Sequence, residues 1–155
     1  MSTKILFGNN VGYKINNYLT KKKIIDYLQK NIDSFSLKNN LILSKDNLTE
    51  IHNNEYNVLA NLEGTEYLFV IVKLNNFYCL CLIEKMTLND FNNINYNDLN
   101  IIHIKIRVNK LAYDGTIFDG RIVNLGVRLM FIINKVYMLN GENMTNYNIN
   151  KVTYL

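Results

Sequence analysis

From Tyr56 onward the chain is a succession of β-branched and aromatic blocks: "YNVLANL", "EYLFVIVKL", "FYCLCLIEK", "IIHIKIRV", "TIFDGRIVN" and "VRLMFIINKVYML". Between them stand the turn-forming groups "EG", "NN", "YDG", "NLG" and "NG". Such side chains pack well on a pleated surface, and Gly and Asn reverse a chain cheaply, so the pattern predicts strands joined by tight turns. "KLNNFY" predicts one tight hairpin and "NLG" ahead of "VRLMFII" another. Upstream, Tyr18, Leu19, Ile24, Ile25, Leu28 and Ile32 recur at near-helical spacing with lysines between them, which predicts a helix over about Asn16 to Asp33. "LILSKDNLTEIHNNE" reads as a short strand, an Asp or Asn cap and a brief helix carrying Leu48 and Ile51. "MTLNDFNNINYNDLN" reads as a loop with a helical turn or two. The expected fold class is α+β, an N-terminal helix followed by a mainly antiparallel β-sheet, in one domain over 1–155. Within it, 1–40 is a helical N-terminal segment and 41–155 a β-rich core.

Composition agrees with one domain, since 155 residues with 48% apolar side chains suffice for one core and no linker divides them. The many Asn, Ile, Lys and Tyr residues, with no Pro or Trp, are the signature of AT-rich coding and carry no function by themselves. Seventeen basic against 13 acidic residues give a net charge of +4, compatible with nucleic acid or an acidic partner. Lys21, Lys22 and Lys23 read as a solvated helix face. Cys79 and Cys81 share one face of a strand, have no partners at metal-ligand spacing, and are expected as buried thiols in a reducing compartment. No run is long enough to span a membrane and "MSTKILFGNN" has no signal-peptide core, so an intracellular, soluble chain with no membrane partner is expected.

The order of these blocks carries a resemblance. "LILSKDNLTEI" followed by "YNVLANLEGTEYLFVI" resembles the start of the nucleotidyltransferase domain of mRNA capping guanylyltransferases, where an extended run leads into Lys-x-Asp-Gly-x-Arg and an apolar strand. "FYCLCLIEK" is similar to that family's next strand, "GTIFDGRIV" to its Thr-Leu-x-Asp-Gly-Glu-x-Val, and "RLMFIINKVYMLNGENMT" to its Phe-x-x-Phe-Asp-x-Leu-x-x-Asn-Gly-x-x-Val-Thr. The four segments run from about Leu41 to Thr145. They imply a partial nucleotidyltransferase-like fold with degenerate nucleotide-site positions.

Residue by residue the resemblance implies lost chemistry. The family's nucleophilic lysine falls on Asn61, whose amide nitrogen has no available lone pair for attack on an α-phosphate. Glu63 and Gly64 keep the next two positions, but the Arg position holds Glu66. Lys85 ends a strand that the family places at the site-facing rim, where it could meet a phosphate or be an exposed strand end. Asp119 and Gly120 match, Arg121 replaces a carboxylate, and Asn134 replaces an acid. The family's Glu-Gly-hydrophobic and Lys-x-Lys segments and its OB domain would fall after residue 155. The implied function is a catalytically inactive module, a binding or scaffold subunit of viral-type or plasmid-type transcription and capping machinery. Its partner is a protein or RNA, its location the cytoplasm, a viral factory or the virion.

Two other readings stand beside it. Residual guanylyltransferase activity would need a substitute lysine such as Lys73, Lys85 or Lys110, with GTP and Mg²⁺ binding left open but no required cofactor or metal. A nucleic-acid-binding protein would use Lys105 and Arg107, which alternate with apolar residues in "IHIKIRVNK" and so share a strand face, beside His103. Reciprocal charge changes at Glu66 and Arg121 also suggest an ion pair closing the old nucleotide cleft. His52 receives no role, and Tyr67, Tyr137, Met130 and Met138 are expected as packing or rim residues.

Overall fold

A computed structural model of the chain describes residues 3–7, 10–32, 63–88, 93–126 and 128–145. The elements are β1 (Thr3–Phe7), β2 (Asn10–Lys14), α1 (Tyr18–Asn31), β3 (Thr65–Leu74), β4 (Phe77–Glu84), a 3-10 turn η1 (Lys85–Thr87), β5 (Ile101–Ile104), a second 3-10 turn η2 (Lys110–Asp114), β6 (Thr116–Asn124), β7 (Leu129–Leu139) and β8 (Glu142–Asn143). Eight strands form one sheet in the order β1-β2-β5-β4-β3-β6-β7-β8, every neighbouring pair antiparallel. The α+β class and the antiparallel sheet are as expected from sequence.

The first 40 residues differ from expectation. They are not a helical segment alone, because β1 and β2 form a hairpin ahead of the helix and β2 pairs with β5, Tyr13 opposite His103. "TKILF" and "NVGYK" are too short to declare themselves as strands; the free edge of β5 supplies the ladder that makes them strands. The strand and short helix expected over 41–55, the "YNVLANL" block, His52 and Asn61 lie outside the described residues.

The predicted turns are present. Asn75 takes a left-handed φ of 54° in the turn between β3 and β4, a conformation that Asn tolerates better than other non-glycine residues. Asn140 and Gly141, at φ 51° and 87°, make the primed turn that suits the right-handed twist of β7 and β8.

Helix α1 begins where the Asn17 side chain accepts from the Thr20 amide at 2.9 Å. It lays Ile24, Ile25, Leu28 and the following Ile32 on one side of the sheet, against Leu68, Val70 and Val72 of β3, Cys79, Cys81 and Ile83 of β4, and Ile117 of β6. Burying each large aliphatic side chain contributes roughly 1.5–3 kcal/mol. The opposite side holds a smaller cluster of Tyr67, Phe69, Leu82, Ile102, Ile122 and Phe131. Both sides of β4 are therefore covered, so "CLCLI" is an unbroken apolar run. The Cys79 and Cys81 sulfurs lie 3.5 Å apart, both buried, and the thiol hydrogen bond followed by burial pushes the Cys81 thiol up.

Lys21 corrects the solvated-face reading of the lysine run. It stands on the same stripe as Ile24, Ile25 and Leu28 and is 4% exposed. Its ammonium donates to the carbonyl oxygens of Tyr96 and Leu99, each at 2.7 Å, so α1 is tied to the segment entering β5. Burial, with Lys14 nearby, pulls its pKa below the ordinary lysine value. Lys22 and Lys23 are exposed. Met138 packs in the core, whereas Met130, expected as packing, is 47% exposed on β7. Tyr67 and Tyr137 are buried.

Candidate functional site

Four of the positions singled out by sequence come together at one border of the helix-facing core. Register places Glu66 of β3 directly opposite Arg121 of β6, and Leu68 opposite Asp119, so both carboxylates and the guanidinium share a face with the core residues Leu68 and Ile117. Lys85, the first residue of η1, follows Ile83 on β4 and delivers its amine into the same group. Its Nζ lies 3.1 and 3.0 Å from the two Asp119 oxygens and 3.3 Å from Glu66 Oε2. Arg121 Nη2 lies 3.0 Å from Glu66 Oε1. Asp119, Lys85, Glu66 and Arg121 thus form a row of alternating charge, two acids against two bases. Lys85 is not an exposed strand end: its side chain is 11% exposed, against 14% for Asp119 and 39% for Glu66. Tyr137 backs the group, its phenol pushed up to about 12 by burial and by the Asp119 charge.

The arrangement limits chemistry at this spot. An amine becomes a nucleophile when its lone pair is freed by a base or by desolvation, whereas the Lys85 ammonium donates to two carboxylates. Those carboxylates in turn face cations. The Glu66–Arg121 ion pair suggested by the reciprocal charges is present, with Lys85 as an additional member that sequence did not place there.

Arg121→Glu is expected to destabilise the chain by about 2 kcal/mol, because the new carboxylate would face Glu66 across the strands. Adding Glu66→Arg should return about 1 kcal/mol of this, measured by urea unfolding. Recovery is incomplete because Arg at 66 would then face Lys85. Strict additivity of the two single changes would show that the pair contributes nothing.

The two glycines of the resemblance have a backbone reason. A Cβ on Gly64 would run into the Ile122 carbonyl oxygen of β6. One on Gly120 would run into the Ile132 carbonyl oxygen and stand 2.7 and 2.9 Å from the Phe131 ring. The "EG" ahead of β3 therefore passes close to the neighbouring strand. Glu63 is exposed, and Asn134 stands exposed on β7 outside the charged row. Lys73 lies seven residues from Glu66 along β3, roughly 23 Å at strand rise, and its amine sits 5.4 Å above the Tyr78 ring. Lys110 is exposed in η2. Neither reaches the row.

At the far end of β4 a second group of polar side chains gathers. The strand expected through Lys105 and Arg107 ends at Ile104, which pairs with Gly12 of β2, while the last β5 residue paired with β4 is His103, opposite Cys81. Lys105 and Arg107 are exposed on the segment that follows, not in a row on a strand. Lys105 Nζ stands 5.2 Å over the Tyr13 ring. It lines, with Tyr13, Lys14, Asn17, Phe77 and His103, a cleft of about 790 Å³ between the start of α1 and the sheet. Burial, then the Lys105 charge, lowers the His103 pKa, which favours neutral imidazole. Tyr13, Lys14 and Phe77 were not legible as site residues: the first two belong to the hairpin that short sequence blocks concealed, and Phe77 reads as an ordinary strand residue.

No helix among the described residues is long and apolar enough to cross a membrane. No protein-family profile matches the chain. Over 142 residues it is 27% identical to an uncharacterized protein of Acanthamoeba polyphaga mimivirus, a match covering 88% of this chain and 42% of the relative. The chain therefore spans less than half of that relative's length.

Proposed function

We propose that this chain is a guanylyltransferase-like binding module without nucleotidyl transfer of its own, serving as a subunit of viral-type transcription or mRNA-capping machinery. The single observation that carries it is the internal pairing of Glu66, Lys85, Asp119 and Arg121. Positions that the resemblance assigns to a nucleotide are engaged with one another, as expected of a fold kept for binding after its chemistry was lost. A viral setting is supported by the mimivirus relative and by the AT-rich residue usage.

Incubation with α-labelled GTP or ATP and Mg²⁺ or Mn²⁺ tests it. The expected result is no acid-stable label on the chain. Covalent label that survives denaturation and disappears in Lys85→Arg would overturn the proposal and make Lys85 the nucleophile.

A second reading, nucleic-acid binding, is favoured by a specific observation: Lys105 and His103 line one cleft with Lys14 and the exposed ring of Phe77. The contacts then belong to a cleft at the end of β5 and not to a row along a strand.

A further inference from the structure

We infer that the cleft between the start of α1 and the β2–β5 region binds single-stranded nucleic acid, with backbone phosphate between Lys14 and Lys105 and a base stacked on Phe77. The inference rests on the nucleic-acid reading and gives it a site. That site is separate from the charged row, since Phe77 opens β4 and Lys85 follows its last residue, eight residues and roughly 26 Å away at strand rise.

Three features favour a strand of nucleic acid over other anions. The first is charge: Lys14 and Lys105 line the cleft, no Asp or Glu lines it, and neither lysine forms an ion pair among the described residues. The second is the aromatic arrangement. Phe77 is 43% exposed and leaves a ring available, whereas the Tyr13 ring lies beneath Lys105 and positions its amine. A cation beside a free aromatic face is the combination that holds a sugar-phosphate chain and stacks its bases, and stacking tolerates any sequence because every base has a π-face. An acidic peptide would use the lysines and leave Phe77 idle. The third is size. A cleft of about 790 Å³ lies within the range of roughly 300–1,000 Å³ typical of small-ligand sites. A duplex, whose bases are stacked inside, cannot offer one to Phe77.

Fluorescence anisotropy of labelled U10 and dT10 oligonucleotides with the full chain tests this, at 50 and 200 mM salt. Two neutralised phosphates predict a salt slope near −1.4, a loss of about sevenfold across that interval. Lys14→Gln and Lys105→Gln should each weaken binding and flatten the slope by about 0.7. Phe77→Ala should weaken binding roughly tenfold at unchanged slope, and its thermal unfolding should match wild type because the ring is solvent-exposed. Lys110→Gln, an exposed lysine outside the cleft, should bind as wild type. Equal binding of U10 and dT10 is expected, since the assigned contacts are to phosphate and base. Binding that survives all three cleft substitutions would overturn the site and leave the nucleic-acid reading standing. No binding of either oligonucleotide at 50 mM salt would overturn both. Poly-glutamate competing as well as U10, with Phe77→Ala indifferent, would overturn base stacking and assign the cleft to acidic protein.

Discussion

Replacing Lys85 with Met is expected to lower folding stability by about 3 kcal/mol, because it leaves Asp119 and Glu66 facing each other without the cation between them. The size of the effect comes from burial. The Asp119 side chain is 14% exposed, so the carboxylate cannot turn fully to water once its partner is gone. Glu66, at 39%, can do so in part, which holds the expected cost at the lower end for a buried pair. Asp119→Leu alone should cost a similar amount, because it removes the closer of the two carboxylates that hold the largely buried Lys85 ammonium and leaves the more exposed Glu66 at 3.3 Å. The double variant should lose less than about 2 kcal/mol, since neither charge then remains unpaired in the row. Urea unfolding of the four proteins measures this. Additive losses of about 6 kcal/mol would mean that the two side chains act independently and that Lys85 is held for some other purpose. A Lys85 variant of native stability would contradict the structural role outright and return the residue to the list of possible phosphate contacts.

Gly120→Ala is the second large effect, about 3 kcal/mol, or a fall in Tm of about 10 °C for a chain of this size. The added methyl would enter the space of the Ile132 carbonyl oxygen. Phe131 can rotate away, but a carbonyl in a ladder cannot. Gly120 is also held from both sides, opposite Tyr67 of β3 and Ile133 of β7, so the strand has no direction in which to retreat. Shortening Phe131 to Ala should therefore fail to rescue the variant. Gly126 supplies the contrast: its φ is +83° but a Cβ there would meet nothing within 4 Å, so Gly126→Ala should cost only about 1 kcal/mol. Equal stability of the two alanine variants would show that the approach of β7 to Gly120 relaxes in solution. A glycine that matches a family motif is in this case explained by close packing of one strand on the next, without appeal to a nucleotide.

Local pattern alone determined the helix over Tyr18–Asn31, the hairpin turns at Asn75 and Asn140, and the strands with long β-branched runs, β3, β4, β6 and β7. These features depend on spacing and on backbone preferences of residues near one another in sequence. Glu66 and Arg121 were legible as a charge pair only through the resemblance, whose motif charges they reverse reciprocally; no local pattern joins them. Tertiary structure decided the rest. The N-terminal hairpin exists because β5 offers an edge to β2, and β5 itself ends at Ile104, short of Lys105 and Arg107, although β2 and β4 both run on past its last pairings. Lys21 looked solvated within a lysine run, yet it shares a helical stripe with Ile24 and Leu28 and finds two carbonyls from a segment some 75 residues away. Lys85 joined Asp119 through a strand pairing between β3 and β6 that no local window contains. Charged side chains carry little positional signal of their own, since the same lysine is favourable in water or beside carboxylates, and only the packing of distant strands decides which environment it meets.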